Sequence, residues 1–546
     1  MSNISSDNEP DFDVVIVGGG LAGLYSIYRL RKLGLKVRAY EAGDGIGGTW
    51  FWNRYPGCRC DVESMEYSYS FDDDLQQEWV WPERYGTQPV ILDYINHVAE
   101  RFDLMRDVQL NTRITKAVFH ETKRLWTITT NNGEKVKAPI CIMAAGNLST
   151  PRKPDFPGLD NFKGKWYHTG LWPKDGVDFS GKRVGVIGTG SSGVQMMPHI
   201  AEQAKHLTVF QRTANFSLPA RNAPLDPEKE RKHKEEYKER RVAAYSTPFG
   251  IAGYPPPAKS ALEVTDEERS KVYEDKWQEG GSISYLFAYK DLLLNKEAND
   301  TASDFVRDKI RATVKNPKTA ELLCPDNHPI GTKRLILDSY YFEIFNQDNV
   351  NLVDVRSAPI QGITANGIQT TETEYELDAI VFATGFDAMT GAIKEIDVRV
   401  DGGTTIEEEW DGGPRTYLGL MVAGLPNMFV ITGPQSPGVK SQMILSIEWH
   451  VNWIADCLSH MKNKKLTRIM AGHEAQRKWV DHVREIADTT LYPLANSWYM
   501  GANIPGKPKV FMPYVAGVEA YTNECKRVVQ EGYEGFDFSA EKVDVT

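Results

Sequence analysis

Two stretches of the chain share one order of apolar and polar positions. Residues 13–41 (DVVIVGGGLAGLYSIYRLRKLGLKVRAYE) open on an unbroken apolar run, Val14–Val17, and pass through three glycines. Apolar positions at helical spacing follow, then a second short run, Lys36–Tyr40, that ends at Glu41. Residues 182–212 (KRVGVIGTGSSGVQMMPHIAEQAKHLTVFQR) repeat that order and end at Arg212. A short continuous apolar run bounded by glycines reads as a strand buried on both faces, and the longer spacing after it as a helix. Strand, tight turn, helix and strand form a βαβ unit of a parallel sheet. The fold class predicted is therefore α/β, with two Rossmann-like dinucleotide-binding domains.

Two more apolar runs end in small residues: Ile140–Met143 before Ala144-Ala145-Gly146, and Ala379–Phe382 before Ala383-Thr384-Gly385. They read as strands leaving a nucleotide-binding domain, where small residues let the backbone approach a cofactor. The organisation expected is a discontinuous first domain over 8–148 and 388–546, a second over 149–222 and 332–387, and a helical insertion over 223–331. Within the insertion, which is expected to cap the active site, Glu228–Arg241 (EKERKHKEEYKERR) is almost wholly charged and reads as a solvated helix face. Further helical patterns cover 266–323, 443–462 and 474–489, and 501–509 (GANIPGKPK) reads as a loop.

Composition narrows the class without naming it. The chain has 546 residues, enough for two or three cores, and a net charge of −11 that argues against nucleic acid or an anionic membrane as partner. The polar amino terminus, MSNISSDNEPDFD, lacks a secretory pattern, no apolar run is long enough to span a bilayer, and the cytoplasm is the expected compartment. Six scattered cysteines make no disulfide framework, and Cys58-Arg59-Cys60 has the wrong spacing for a redox dithiol. No metal-ligating set and no oligomeric state are assigned.

The glycines carry the first chemistry. Gly18-x-Gly20-x-x-Gly23 follows a strand, opens a helix, and is answered by Glu41, whose carboxylate can accept hydrogen bonds from ribose hydroxyls. Gly188-x-Gly190-Ser191-x-Gly193 has the same context, but Arg212 and Thr213 stand where an acidic residue would. A guanidinium there can grip a 2′-phosphate that a carboxylate would repel. One acidic and one basic site together predict FAD and NADPH, with hydride passing from the second to the first.

Residues 45–61 (GIGGTWFWNRYPGCRCD) and 162–173 (FKGKWYHTGLWP) then add a specific resemblance. The first fits a Gly-x-Trp, aromatic-Pro-Gly, Asp pattern at Gly48, Trp50, Tyr55, Pro56, Gly57 and Asp61. The second fits Phe-x-Gly-x-x-x-His-x-x-x-Trp-Pro at Phe162, Gly164, His168, Trp172 and Pro173, five positions met by chance on the order of 10⁻⁵ of the time. Both are signatures of the type I Baeyer–Villiger monooxygenases, which the chain resembles along nearly its whole length, most closely in the phenylacetone monooxygenase branch.

The resemblance implies an enzyme that uses NADPH and O₂ to form a C4a-peroxyflavin and insert oxygen beside a ketone carbonyl, giving an ester or lactone. Sulfide oxygenation is an expected side activity. It implies that Arg334 is the catalytic arginine, that Asp61 orients it beside the flavin, and that Lys333 joins Arg212 on the 2′-phosphate. Thr49 and Trp50 belong to the implied cofactor-binding set, and Trp498 to a nicotinamide or substrate contact. His168 is expected to couple domain motion from a linker rather than to act as acid or base. The chain departs from the branch at Gly438-Val439-Lys440, where a lysine stands in a substrate-pocket loop. The alternatives are a heteroatom-oxidising flavin monooxygenase and an NADPH-binding redox sensor without turnover.

Overall fold

Buried apolar strands build two five-stranded parallel sheets in the computed structural model, which describes residues 9–540. Residues 1–8 of the polar amino-terminal stretch lie outside the described residues. The first sheet runs, in order, Met428–Val430, Ile140–Met143, Val14–Val17, Val37–Tyr40 and Val108–Gln109. Val14 pairs with both Val37 and Ile140. Successive side chains point to opposite faces of a strand. Val14 and Ile16 therefore pack in one core, while Val15 and Val17 join Phe119, Trp126 and Val398 of a four-stranded sheet in another. Both faces are covered, which is why these strands read as unbroken apolar runs.

The second sheet runs Val350–Asp354, His206–Gln211, Arg183–Ile187, Ala379–Phe382 and Lys165–His168. Its last strand corrects one expectation. Residues 165–168, read as linker, pair in parallel with Ala379–Phe382. They form an edge strand with only His168 buried, so no apolar run marked them.

Between residues 223 and 331 the regular structure is helical, with Pro227–Glu235, Tyr237–Ala244, Asp266–Glu279, Ser282–Leu286, Lys296–Thr313 and Pro317–Leu323 among the described residues. The charge run Glu228–Arg241 is not a simple solvated face. Arg240 donates to Glu66 Oε1 at 2.6 Å, and Arg241 donates to the Glu66 carbonyl at 2.8 Å and to Ser68 Oγ at 2.7 Å. The Glu66 side chain is only 3% exposed, so these arginines neutralise a buried carboxylate far away in sequence. No helix among the described residues is long and apolar enough to cross a membrane.

Candidate active site

The two glycine turns have the same construction. Gly18 and Gly188 both take positive φ, +112° and +110°. A Cβ at Gly18 would lie 2.4 Å from the Ala144 carbonyl oxygen, and one at Gly188 would lie 2.5 Å from that of Ala383. The small residues after Ile140–Met143 and Ala379–Phe382 thus admit the protein's own glycine turn, not only a cofactor. The third glycines press on the first: a Cβ at Gly23 or Gly193 would come within 2.0 or 2.4 Å of the Gly18 or Gly188 carbonyl. Helices Leu21–Arg31 and Ser191–Gln203 begin immediately after these turns, without a side-chain cap and without an acidic residue in the first turn. Their open N–H groups suit the pyrophosphate of a dinucleotide.

Past the first strand pair, Glu41 is 6% exposed, and its two oxygens accept from the Gly19 and Gly43 N–H groups, both at 2.8 Å. It braces the glycine turn, a role the spacing alone did not show. Gly47 N–H donates to Gly19 O, tying the 45–61 loop to the turn. On that loop Thr49 is exposed, whereas Trp50 is buried, its Nε1 donating to the Tyr67 hydroxyl at 3.0 Å.

At the second unit, Arg212 is exposed and directly follows strand His206–Gln211, and Thr213 is held by Thr189, whose hydroxyl donates to the Thr213 carbonyl at 2.7 Å. Arg212 faces Lys333 and Arg152. Its charge, added to burial, lowers Lys333 to about 8 and lowers Arg152 from its ordinary value. Neither Arg212 nor Lys333 has an ion-pair partner among the described residues. Three cations gather here against one nearby carboxylate, Asp155 beside Arg152, and the net positive charge suits a 2′-phosphate. Arg152 was not anticipated: it lies in a Pro-flanked loop without a motif of its own.

Arg334, next to Lys333, turns instead to the loop that ends in Asp61. Its Nε and Nη2 donate to the two Asp61 oxygens at 2.6 and 2.5 Å, and Nη1 donates to the Val439 carbonyl at 2.9 Å. The guanidinium is fixed at three points and kept charged. Burial works against that charge, but Asp61 outweighs it and raises the Arg334 pKa. Asp61, Lys333, Arg334, Lys440, Tyr499, Ile283 and Leu286 line one cavity, so helix Ser282–Leu286 brings apolar side chains to it. The Tyr499 hydroxyl is buried beside Arg334 and helps to hold its charge. Trp498, half-buried, lays its ring against Tyr499 at 4.2 Å between centroids but is not among the residues lining the cavity.

The 53–61 loop also touches the second unit directly. Tyr55 donates to Gln195 Oε1 at 2.9 Å, Gln195 Nε2 donates to the Arg59 carbonyl at 3.1 Å, and a Cβ on Gly57 would meet Gln195 O at 2.4 Å. Helix Ser191–Gln203 therefore supports the loop that ends in Asp61. His168 is neutral: burial pushes it down to about 4, its Nδ1 accepts from the Gly170 N–H at 3.0 Å, and Nε2 lies 3.3 Å from Thr384 Oγ1. It is a packed histidine joining the edge strand to Thr384. Cys58 and Cys60 are buried and free, with Cys58 pushed up to about 12 by burial, so neither is poised as a thiolate.

Residues 12–221 match the model of the flavin-binding monooxygenase-like family. A Baeyer–Villiger monooxygenase of Pseudooceanicola batsensis is 43% identical over 99% of this chain and 100% of its own length. Among solved structures, an oxidized steroid monooxygenase bound to NADP is 50% identical with a TM-score of 0.92, covering 97% of this chain and 100% of that one. A complex of OTEMO with FAD and NADP is 39% identical with a TM-score of 0.94, over the same shares.

Proposed function

Because the chain belongs to the Baeyer–Villiger monooxygenase family of FAD- and NADP-dependent enzymes, we propose that it inserts oxygen into ketones at a site built around Arg334 and Asp61. The carrying observation is the bidentate Arg334–Asp61 pair at the wall of a cavity that also reaches Lys333. FAD, reduced by NADPH, supplies the activation of O₂ when bound. Gly18, Gly20, Gly23, Glu41, Thr49 and Trp50 would hold it, in a unit spanning 8–148 and 388–546. Gly188, Gly190, Ser191, Gly193, Arg212, Thr213 and Lys333 would hold NADPH, in a unit spanning 149–222 and 332–387. The insertion 223–331 closes over the cavity, and Trp498 supports Tyr499 at its edge.

Arg334 contributes a fixed positive charge. Oxygen insertion places negative charge on the oxygen of the attacked carbonyl, and a preoriented cation in a water-poor cavity stabilises it without reorganising. Asp61 supplies the orientation by accepting from two nitrogens of the guanidinium. The cavity is narrow, about 60 Å³, well below the several hundred typical of ligand sites, so a bound substrate would displace Phe249, Ile251 or helix Ser282–Leu286, which line it. Steroidal ketones head the candidates because a 50% identical relative is a steroid monooxygenase. The test is product analysis with NADPH, labelled O₂ and linear, aromatic, monocyclic and steroidal ketones. Singly labelled ester or lactone is expected from at least one class. NADPH consumption without oxygenated product from any class would overturn the reading.

A further inference from the structure

The cavity wall carries a cation that the reaction itself does not need. Lys440 sits in the short helix Gly438–Lys440, whose Val439 carbonyl accepts from Arg334. Its ammonium lies 4.4 Å from the Tyr492 ring centroid and 4.7 Å from that of Tyr499, held by two π faces. It makes no ion pair and no side-chain hydrogen bond among the described residues. The charged groups around it are Arg334 and Asp61, with Lys333 across the cavity. Asp61 cannot serve Lys440 as a full partner, because both its oxygens are engaged by Arg334. The lining thus holds three cations and one carboxylate. One of those cations, Arg334, is neutralised by Asp61; another, Lys333, faces the 2′-phosphate position beside Arg212. Lys440 is the one left over.

Resting on the reading of the cavity as the ketone site, we infer that Lys440 is a specificity residue recruiting ketones that carry a carboxylate remote from the carbonyl. The carbonyl goes to Arg334, the carboxylate to the ammonium, and the apolar side chains of Ile283 and Leu286 cover the chain between them. The Tyr499 hydroxyl, buried beside Arg334, can donate its O–H to either oxygen-bearing end. Burial and Arg334 hold Lys440 down to about 7. A substrate carboxylate reverses that balance by supplying the missing countercharge, so binding takes up a proton near neutral pH.

The test uses holoenzyme with NADP bound and methyl ketones from 4-oxopentanoate to 8-oxononanoate, each paired with its neutral primary amide. Calorimetric affinity and kcat/KM are both compared across each pair. For at least one chain length the wild type is expected to favour the carboxylate about tenfold or more, with the same preference in affinity. Lys440→Leu should abolish or invert that preference while still oxygenating the amide, and Lys440→Arg should keep it above one. A wild type that does not distinguish acid from amide at any length would overturn the inference, as would a Lys440→Leu enzyme with the wild-type ratio. Failure to oxygenate any ketone would count against the Baeyer–Villiger reading, while the affinity ratios would still decide the role of Lys440.

Discussion

Glycines that look alike in sequence differ in what they cost to replace. At Gly193 a Cβ would press on the Gly188 carbonyl at 2.4 Å, so Gly193→Ala should disrupt the second sheet. Gly190 has extended backbone (φ −82°, ψ −173°), and a Cβ there meets nothing within 4 Å. Gly190→Ala should therefore fold, keep its FAD and melt near the wild type, but raise KM for NADPH roughly tenfold, ~1.4 kcal/mol of binding. A Gly190→Ala protein with unchanged NADPH kinetics would remove the pyrophosphate from that turn. Arg212→Ala should raise KM for NADPH by the roughly 1.5–3 kcal/mol of a lost charge-assisted hydrogen bond, leaving NADH use unaffected. Lys440 makes a pH prediction. Its folded pKa of about 7 lies below the ordinary 10.5, so the unfolded chain binds the extra proton between those values. Stability therefore rises with pH across that window, and the burden of the buried charge is fully present below pH 7. Lys440→Met should melt above the wild type at pH 6, with the gap closing by pH 10; a constant gap would contradict it. Arg212 was legible because a fixed spacing places it. Tyr499 and the Val439 carbonyl were not, because they reach Arg334 only through folding.

Elements with continuous apolar runs were the readable ones. Val14–Val17, Ile140–Met143 and Ala379–Phe382 have the predicted bounds because each is buried on both faces. Strand Lys165–His168 sits at an edge and carried no such signal. The charged helices misled for a different reason: the partner of Arg240 and Arg241 is Glu66, more than 170 residues away. Removing one side of a buried pair typically costs about 3–5 kcal/mol. Glu66→Gln should expose the basic sites within 228–241 to trypsin at least tenfold faster, with FAD content unchanged. Equal cleavage rates would show that the helices dock without that carboxylate. Helix Ser191–Gln203 makes a second element-level claim. Gln195→Ala removes its hydrogen bonds to Tyr55 and Arg59, and should slow flavin reduction by NADPH a few-fold without releasing FAD. An unaltered reduction rate would mean that the 53–61 loop holds its place alone.

At the scale of the whole molecule, one pair of neighbouring residues joins the two nucleotide units. Lys333 faces Arg212 at the second glycine unit, and Arg334 is clamped to Asp61 on the loop tied to the first glycine turn. Under the roles proposed above, that adjacency would let one short segment serve both hydride delivery and oxygen insertion. It also lets a single substitution separate them. The decisive measurement is rapid mixing of the Arg334→Ala holoenzyme, first with NADPH and then with O₂ and ketone, paired with product analysis. Reduction of the flavin should survive within about tenfold, because hydride transfer does not require this charge. Ester yield should fall about 10²–10³-fold, as for loss of one oxyanion-stabilising donor, and the electrons should appear as hydrogen peroxide. Ester formation at near the wild-type rate, or loss of flavin reduction itself, would contradict the assignment of Arg334.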